Sequence, residues 1–600
     1  MRLWLRFPAT PSSDRTRAIR RRSLLLAVIG VAVLPLAWRG PSCGQDFDFH
    51  LQNWIELAHA WRHGLLYPWW AASANYGAGE PRFVFYPPLS RIVGALLGCI
   101  LPWSWTPLAF ALLCLLGAGF SLRAMARAWL PEDSATLAAC LYVINPYMLF
   151  VVYERGAEAE LLAAVFVPLV VLFALRPSSP NSSDSPPKST IVPLALTFGA
   201  LWLTNAPSGV MGGYMLALLV VVAALRQRSW RLIARSAAAV PLGLALAGFW
   251  LIPAIFQQRW VEIARATAPL MRVQDSFLFG FVRLASLPAP VSAQDQFDLA
   301  YHNQVLHLVS LVVVALLAAT ALAAWPSRRP LTRLWLPFVV VAGAVGALQF
   351  PWSHPVWQSL PELRYLQFPW RWMLVLGMIC ATVAGAALGR VAATRRAIAI
   401  RAMLVLLLAC GLSVWASRAL WQPCDEEDNV AAQIATFKSK GFEGTDEYTP
   451  APADNSLIQQ GLPPVRILAV PDAEESTEGD NPAWSPDPAA EVPARIALER
   501  WQIQTIDVHI DAQRSAWAVF RLMDYPAWQI TLNGAALQTR PLRPDGLIVV
   551  PLNPGSNRVI IRWRTTADQR IGIALSLAAL AVTLALAFAP RRKSRKIPLP

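Results

Sequence analysis

Apolar runs long enough to cross a bilayer recur along most of this chain, and no other feature restricts its fold as strongly. A spanning helix needs about 20 predominantly apolar residues. Segments of that kind lie at 23–38, 106–122, 134–152, 159–175, 191–204, 210–225, 234–253, 304–325, 334–349, 371–390, 398–416 and 571–589, which predicts about 12 transmembrane helices. Composition agrees, with 55% hydrophobic and 15% charged residues, where a soluble chain carries about 25% charge.

An even number of crossings puts both termini on one side. Arg20, Arg21 and Arg22 precede the first span, and the clusters Arg123/Arg127, Arg226/Arg228/Arg231, Arg328/Arg329/Arg333, Arg395/Arg396/Arg401 and Arg591-Arg592-Lys593 all fall on that side, as expected for cytoplasmic loops. The parity requires Ser90–Leu101 not to cross. That segment is short and ends in Pro102-Trp103-Ser104-Trp105, which suits an interfacial or re-entrant helix. No small-x-small cleavage site precedes the first loop, so residues 1–22 read as a cytoplasmic basic N-terminus before a retained helix. The net charge of +15 is accounted for by these orienting arginines, and nucleic acid is not expected as a partner. The seven cysteines show no metal-ligand spacing. Only Cys43 and Cys424 fall on the outer side, where a disulfide between them would tie the first outer loop to the outer domain.

The first outer loop, 39–105, carries chemistry that lipid does not tolerate. Asp46, Asp48 and His50 form D-x-D-x-H just before a predicted helix starting near Phe49, followed by aromatic, Gly-rich and Pro-rich sequence up to Phe85-Tyr86-Pro87-Pro88. The aspartates read either as helix caps or as catalytic groups. A second acidic cluster, Tyr153-Glu154-Arg155-Gly156-Ala157-Glu158-Ala159-Glu160, opens the second outer loop. Glu158 and Glu160 also suit the first turn of the next helix, where the helix dipole favours acids. Arg364 and Arg371 lie in a further outer loop; Arg371 reads as a snorkelling anchor or, with Arg364, as a bidentate holder of a lipid phosphate.

Composition changes at about residue 418. An acidic, Pro-rich region, 418–495, leads into alternating runs at Trp501–Ile510, Ala516–Leu522, Trp528–Leu532, Leu547–Leu552 and Arg558–Trp563, with Asn533-Gly534 as a hairpin turn. A small extracytoplasmic β-sandwich over 496–570 is therefore expected, anchored by the last helix and a basic tail at 571–600.

Several stretches resemble bacterial membrane proteins of the GT-C glycosyltransferase superfamily, in the YfhO-like branch that includes "6-pyruvoyl-tetrahydropterin synthase-related" membrane proteins. They are Gly44-Gln45-Asp46 with His50, Gly64-Leu65-Leu66-Tyr67-Pro68-Trp69, Asn75-Tyr76-Gly77, Phe85-Tyr86-Pro87-Pro88-Leu89, the acidic motif 153–160, Trp250-Leu251-Ile252-Pro253-Ala254 and Gln367-Phe368-Pro369-Trp370-Arg371. The resemblance implies a GT-C-like transmembrane domain over 23–417 in a bacterial inner membrane. It also implies an essential acid at Asp46, with Asp48 the competing position, and a second-loop acid at Glu154 or Glu158 that positions the acceptor or a metal. The expected activity is transfer of a sugar from a polyprenyl-phosphate donor to a cell-envelope glycan, lipid or protein. Asp46 would act as base, assisted by His50, and Arg371, Arg364 and Arg155 would meet the donor phosphate. A divalent cation, Mg or Mn, at Asp46 and Glu154 is an open alternative, as are a lipid-linked glycan flippase and a catalytically silent envelope scaffold. The acids gather at one face and the spans are nearly free of charge, which favours chemistry at the surface over passage through the helices.

Overall fold

The computed structural model describes residues 12–175, 191–287, 291–327, 334–389, 394–471 and 480–588. The basic residues Arg328, Arg329, Arg333, Arg591, Arg592 and Lys593, and the first half of the basic N-terminus, lie outside these.

Nine helices among the described residues are long and apolar enough to cross a membrane, or up to 11 when two bent pairs are counted as single spans. The spans expected at 234–253 and 334–349 are those two pairs. The first breaks by 75° between Trp230–Leu246 and Gly248–Trp260, and the second by 100° between Trp335–Ala347 and Pro351–Ser359. At the first break Gly248 packs so closely on the final helix that a Cβ there would meet Leu575 at 3.1 Å. Ile191–Thr204 and Pro88–Ile100 are shorter apolar helices, the latter being the segment that parity kept from crossing. The helices Arg395–Ala419 and Ala567–Phe588 expose Leu404, Leu407, Leu577, Leu580 and Leu584, as apolar side chains facing lipid would be.

Charged groups separate to the two ends of this bundle. At one end Arg21 pairs with Asp133 at 2.6 Å and Arg123 with Glu132 at 2.6 Å. At the other lie the first loop, the 153–160 turn and a β domain.

That domain is two antiparallel sheets. Strands β1 (Val465–Leu468), β2 (Ala494–Gln502), β3 (Thr505–Ala512), β4 (Ala516–Met523), β5 (Trp528–Leu532), β6 (Ala535–Ala536), β7 (Leu547–Leu552) and β8 (Gly555–Trp563) assemble in the orders β1-β4-β7 and β2-β3-β8-β5-β6. The run expected over Trp501–Ile510 is instead the end of β2, a turn at 503–504 and most of β3, because alternation continues through a two-residue turn without a Gly or Pro to mark it. β1 falls inside the stretch read as a linker, and helix Val430–Ser439 does too. Asn533 and Gly534 both take positive φ, 53° and 86°, the geometry of the hairpin turn expected there.

The three-stranded sheet is buried on both faces. Ala518, Val519, Phe520, Ile548, Val549 and Val550 are at most 1% exposed, so β4 and β7 read as continuous apolar runs. The core of the sandwich continues without a break into Trp69, Trp70, Tyr76, Phe85 and Trp250. The Trp70 ring packs against Trp528 at 5.4 Å and Trp563 at 5.8 Å, and Met523 N–H donates to the Ala78 carbonyl at 2.9 Å. The β domain thus sits directly on the first loop.

Candidate active site

The first loop is held in place from several directions. Helix Phe47–Arg62 carries Glu56, whose buried carboxylate accepts from the N–H groups of Ala72 (2.8 Å) and Ser73 (3.3 Å), closing the loop on itself. Glu80, fully buried, pairs with Arg82 at 2.5 Å and accepts from Thr445 N–H at 2.8 Å, so the loop is also bonded to the segment before the sandwich. A disulfide joins Cys43 to Cys424 across 381 residues.

The beginning of this loop lies along the 153–156 turn. Val151–Arg155 forms a single π-helical turn, which Gly156 ends in the left-handed conformation at φ 57°. A helix that stops there leaves its last carbonyls without intrahelical donors. They are taken by the first loop: Ser42 Oγ donates to Tyr153 O, Gln45 N to Glu154 O at 3.3 Å, and Asp46 N to Arg155 O at 2.7 Å. Contact is so close that a Cβ on Gly44 would lie 2.2 Å from the Glu154 carbonyl oxygen. The loop and the turn therefore behave as one unit.

Asp46 occupies the N-cap position of helix Phe47–Arg62 but its side chain makes no capping hydrogen bond. Its carboxylate instead accepts from Arg155 Nη2 at 2.7 Å. Arg155, 2% exposed, also donates from Nη1 to Glu160 Oε2 at 3.2 Å, and Arg371 Nε lies 4.0 Å from the same oxygen. Glu160 Oε1 takes the Tyr147 hydroxyl. Aromatic rings floor the cluster: the Arg155 guanidinium is 5.1 Å from the Trp370 ring centre and 5.6 Å from that of Phe368, and Arg371 is 5.1 Å from Phe368. Two guanidinia and two carboxylates balance in charge, and the Asp46 side chain, 38% exposed, is the member open to solvent.

The remaining expected residues are distributed around this cluster. His50, one turn after Asp46, is 2% exposed with its ring edge-on to Phe49 and Tyr86. Burial lowers its pKa to about 4, with Asp46 opposing and Arg155 adding to the shift, so the imidazole is neutral at pH 7. Burial likewise raises the pKa of the Tyr86 hydroxyl, and that of Asp48, where Asp428 and Asp46 add to the rise. Glu154 does not join Asp46; its two oxygens accept from Tyr301 Oη at 2.6 Å and Gln422 Nε2 at 2.8 Å. Glu158 is buried in the first turn of helix Glu158–Leu175 and its Oε2 has no hydrogen-bond partner among the described residues. Arg364 is exposed and donates to Tyr365 Oη at 2.9 Å. The arginines that come together are therefore Arg155 and Arg371.

Glu160 is the hub that the sequence pattern did not single out, because its position suits a first-turn acid equally well. Its membership of the 153–160 motif and the position of Trp370 beside Arg371 were the available signals.

The donor set does not suit the divalent cation considered above for Asp46 and Glu154. Asp46 faces a guanidinium, Glu154 is held by two neutral donors, and among the described residues no three His, Cys, Asp or Glu side chains converge as ligands.

Among solved structures, the chain is similar to the apo oligosaccharyltransferase of Archaeoglobus fulgidus, with 12% identity and a TM-score of 0.41 over 72% of this chain and 62% of that one. It is similar to the arabinofuranosyltransferase AftD from Mycobacteria, with 18% identity and a TM-score of 0.41 over 67% of this chain and 27% of that one. It is also similar to ArnT from Cupriavidus metallidurans bound to undecaprenyl phosphate, with 13% identity and a TM-score of 0.39 over 72% and 76%. The chain thus spans less than two thirds of the length of the first two. A comparison with curated protein sequences returns no match. A family profile described as "6-pyruvoyl-tetrahydropterin synthase related domain; membrane protein" matches residues 83–420, more than half of the sequence, and the chain belongs to that family of membrane proteins.

Proposed function

We propose that this protein is an inverting glycosyltransferase that takes a sugar from a polyprenyl-phosphate donor and works on the extracytoplasmic face of a bacterial membrane. The observation that carries the reading is the Asp46 carboxylate, open to solvent and paired with buried Arg155, which Glu160 links to the half-buried Arg371. The resemblance of the first-loop and 153–160 motifs to GT-C enzymes supports it, as does the position of Arg21 and Arg123 at the opposite end of the bundle.

In this reading an acceptor hydroxyl oxygen attacks the anomeric carbon as the bond from that carbon to the phosphate oxygen breaks. The hydroxyl proton passes to the Asp46 carboxylate as the new glycosidic bond forms, and polyprenyl phosphate departs with its electron pair and negative charge. Arg155 and Arg371 stabilise that charge; fixed cationic donors in a site shielded from water are worth more than in bulk solvent. Neutral His50 packs behind Asp46 and orients the helix start. Glu154, braced by Tyr301 and Gln422, faces the acceptor side. No step passes through a metal.

The test is reconstitution of the purified protein with a labelled polyprenyl-phosphate hexose pool and acceptor-containing membrane lipid, reading release of polyprenyl phosphate from wild type and Asp46→Asn. Release by wild type alone is expected. Equal release by both would move the chemistry away from Asp46, and release by neither would favour the flippase or scaffold.

A further inference from the structure

In the arrangement described, the Asp46 carboxylate is tethered through Oδ2 to Arg155, which fixes its orientation. The cationic side is also incomplete. Arg155 Nε and Arg371 Nε are both buried and have no hydrogen-bond partner among the described residues, although a buried guanidinium without a full set of acceptors is costly. Glu160 cannot supply what is missing, since it already serves Tyr147, Arg155 and Arg371. The guanidinium of Arg155 is fixed by Glu160 and by the Trp370 and Phe368 rings, whereas Asp46 is solvent-open and makes no capping bond to its own helix. When an anion competes for Arg155, Asp46 is the partner able to leave.

Resting on the reading of the site as a lipid-phosphate sugar transferase, we infer that the donor phosphate and the Asp46 carboxylate compete for Arg155. Donor binding then displaces Asp46 from Arg155 and turns its carboxylate toward the acceptor, so the base is released only when a donor is in place. This exchange orders the reaction, donor before acceptor.

Competition has a consequence opposite to that of a cooperative phosphate ligand. Removing the Asp46 charge should tighten phosphate binding, even though it removes transfer. Binding is measured by titrating wild type, Asp46→Asn and Asp46→Ala in lipid nanodiscs with polyprenyl phosphate, and separately with inorganic phosphate, following tryptophan fluorescence, since Trp370 lies against Arg155. The expected result is a Kd for polyprenyl phosphate about tenfold lower in either Asp46 variant, with the gain abolished when Arg155→Ala is added. The same tightening toward inorganic phosphate would show that the phosphate group alone drives the exchange; tightening confined to the lipid would assign the exchange to the membrane-bound ester. Wild-type binding that is unchanged or weakened in both folded variants overturns the exchange while leaving the donor reading intact. Absence of binding in wild type and variants alike overturns the donor reading and the exchange with it.

Discussion

Arg155 donates to the Asp46 carboxylate at 2.7 Å although 109 residues separate them in the chain. The pair joins the first loop to the second acidic motif; because Asp46 is its solvent-open member and an Asn side-chain oxygen can still accept from Arg155, Asp46→Asn is expected to leave insertion and folding intact while lowering transfer by at least about 10²-fold, the lower end of what a positioned base contributes. Quantified release of polyprenyl phosphate, beside an unchanged thermal unfolding curve, checks both halves.

Glu160 lies between Arg155 and Arg371 and is 2% exposed. Breaking a buried ionic cluster from one side costs about 3–5 kcal/mol because the remaining charges stay buried. Glu160→Gln should therefore lower thermal stability clearly in detergent, and more than Glu426→Gln at an exposed position. Equal stability of the two variants would remove Glu160 as the organiser of the cluster.

Gly44 sits where a Cβ would come within 2.2 Å of the Glu154 carbonyl oxygen, and neighbouring backbone atoms give no flexible side chain to yield. Gly44→Ala should separate the loop from the turn, costing about 1–3 kcal/mol by overpacking and lowering activity with it. Gly461→Ala is not the right comparison, because φ there is +80°; Gly30→Ala, with nothing within 4 Å of the new Cβ, is, and should retain wild-type activity.

His50 ties stability to pH. Its folded pKa, about 4, lies below the ordinary 6.5, so between those values the unfolded chain binds a proton that the folded protein does not. Stability should fall on acidification through that window, by up to about 1.4 kcal/mol per pH unit, and be free of this contribution above it. Melting temperatures from pH 7 to pH 4 should decline less steeply in His50→Gln; parallel slopes would place the acid sensitivity elsewhere.

Cys43 and Cys424 fasten the first loop beside Gln422, which itself donates to Glu154. Cys424→Ser should cost about 2–4 kcal/mol and loosen the brace on Glu154. Alkylation of both thiols in wild type only after reduction, with a lower melting temperature in the variant, is the expected outcome; thiols that react without reductant would contradict the bond.

Much of this architecture was legible in the chain itself. Apolar length located nine of the expected spans as single long helices among the described residues, since the requirement to fill about 30 Å of hydrocarbon acts on contiguous sequence. Of the rest, 234–253 and 334–349 are bent pairs and 191–204 is a shorter helix, because bends do not show in apolar length. Pattern also marked β4, β5, β7 and the Asn533-Gly534 turn, because strand alternation and positive φ are local properties. Acidic motifs in the first and second loops were visible as charge that lipid would refuse.

The roles within those motifs were not. Asp46 has the position and the chemistry of a helix cap, and only the approach of Arg155 shows that its carboxylate serves another partner. Glu158 and Glu160 are alike as first-turn acids, yet packing leaves one without a partner for Oε2 among the described residues and places the other between two arginines. The stretch 418–495 looks like a linker from its acids and prolines, but β1 finds its pairing with β4 some 50 residues later and Glu80 finds Thr445 across 365 residues. Sequence by itself determined which segments are apolar enough to form long helices, because that property resides in the composition of each segment. The tertiary structure decided which charges meet, because hydrogen-bonded and ionic contacts between distant segments leave no periodic trace along the chain.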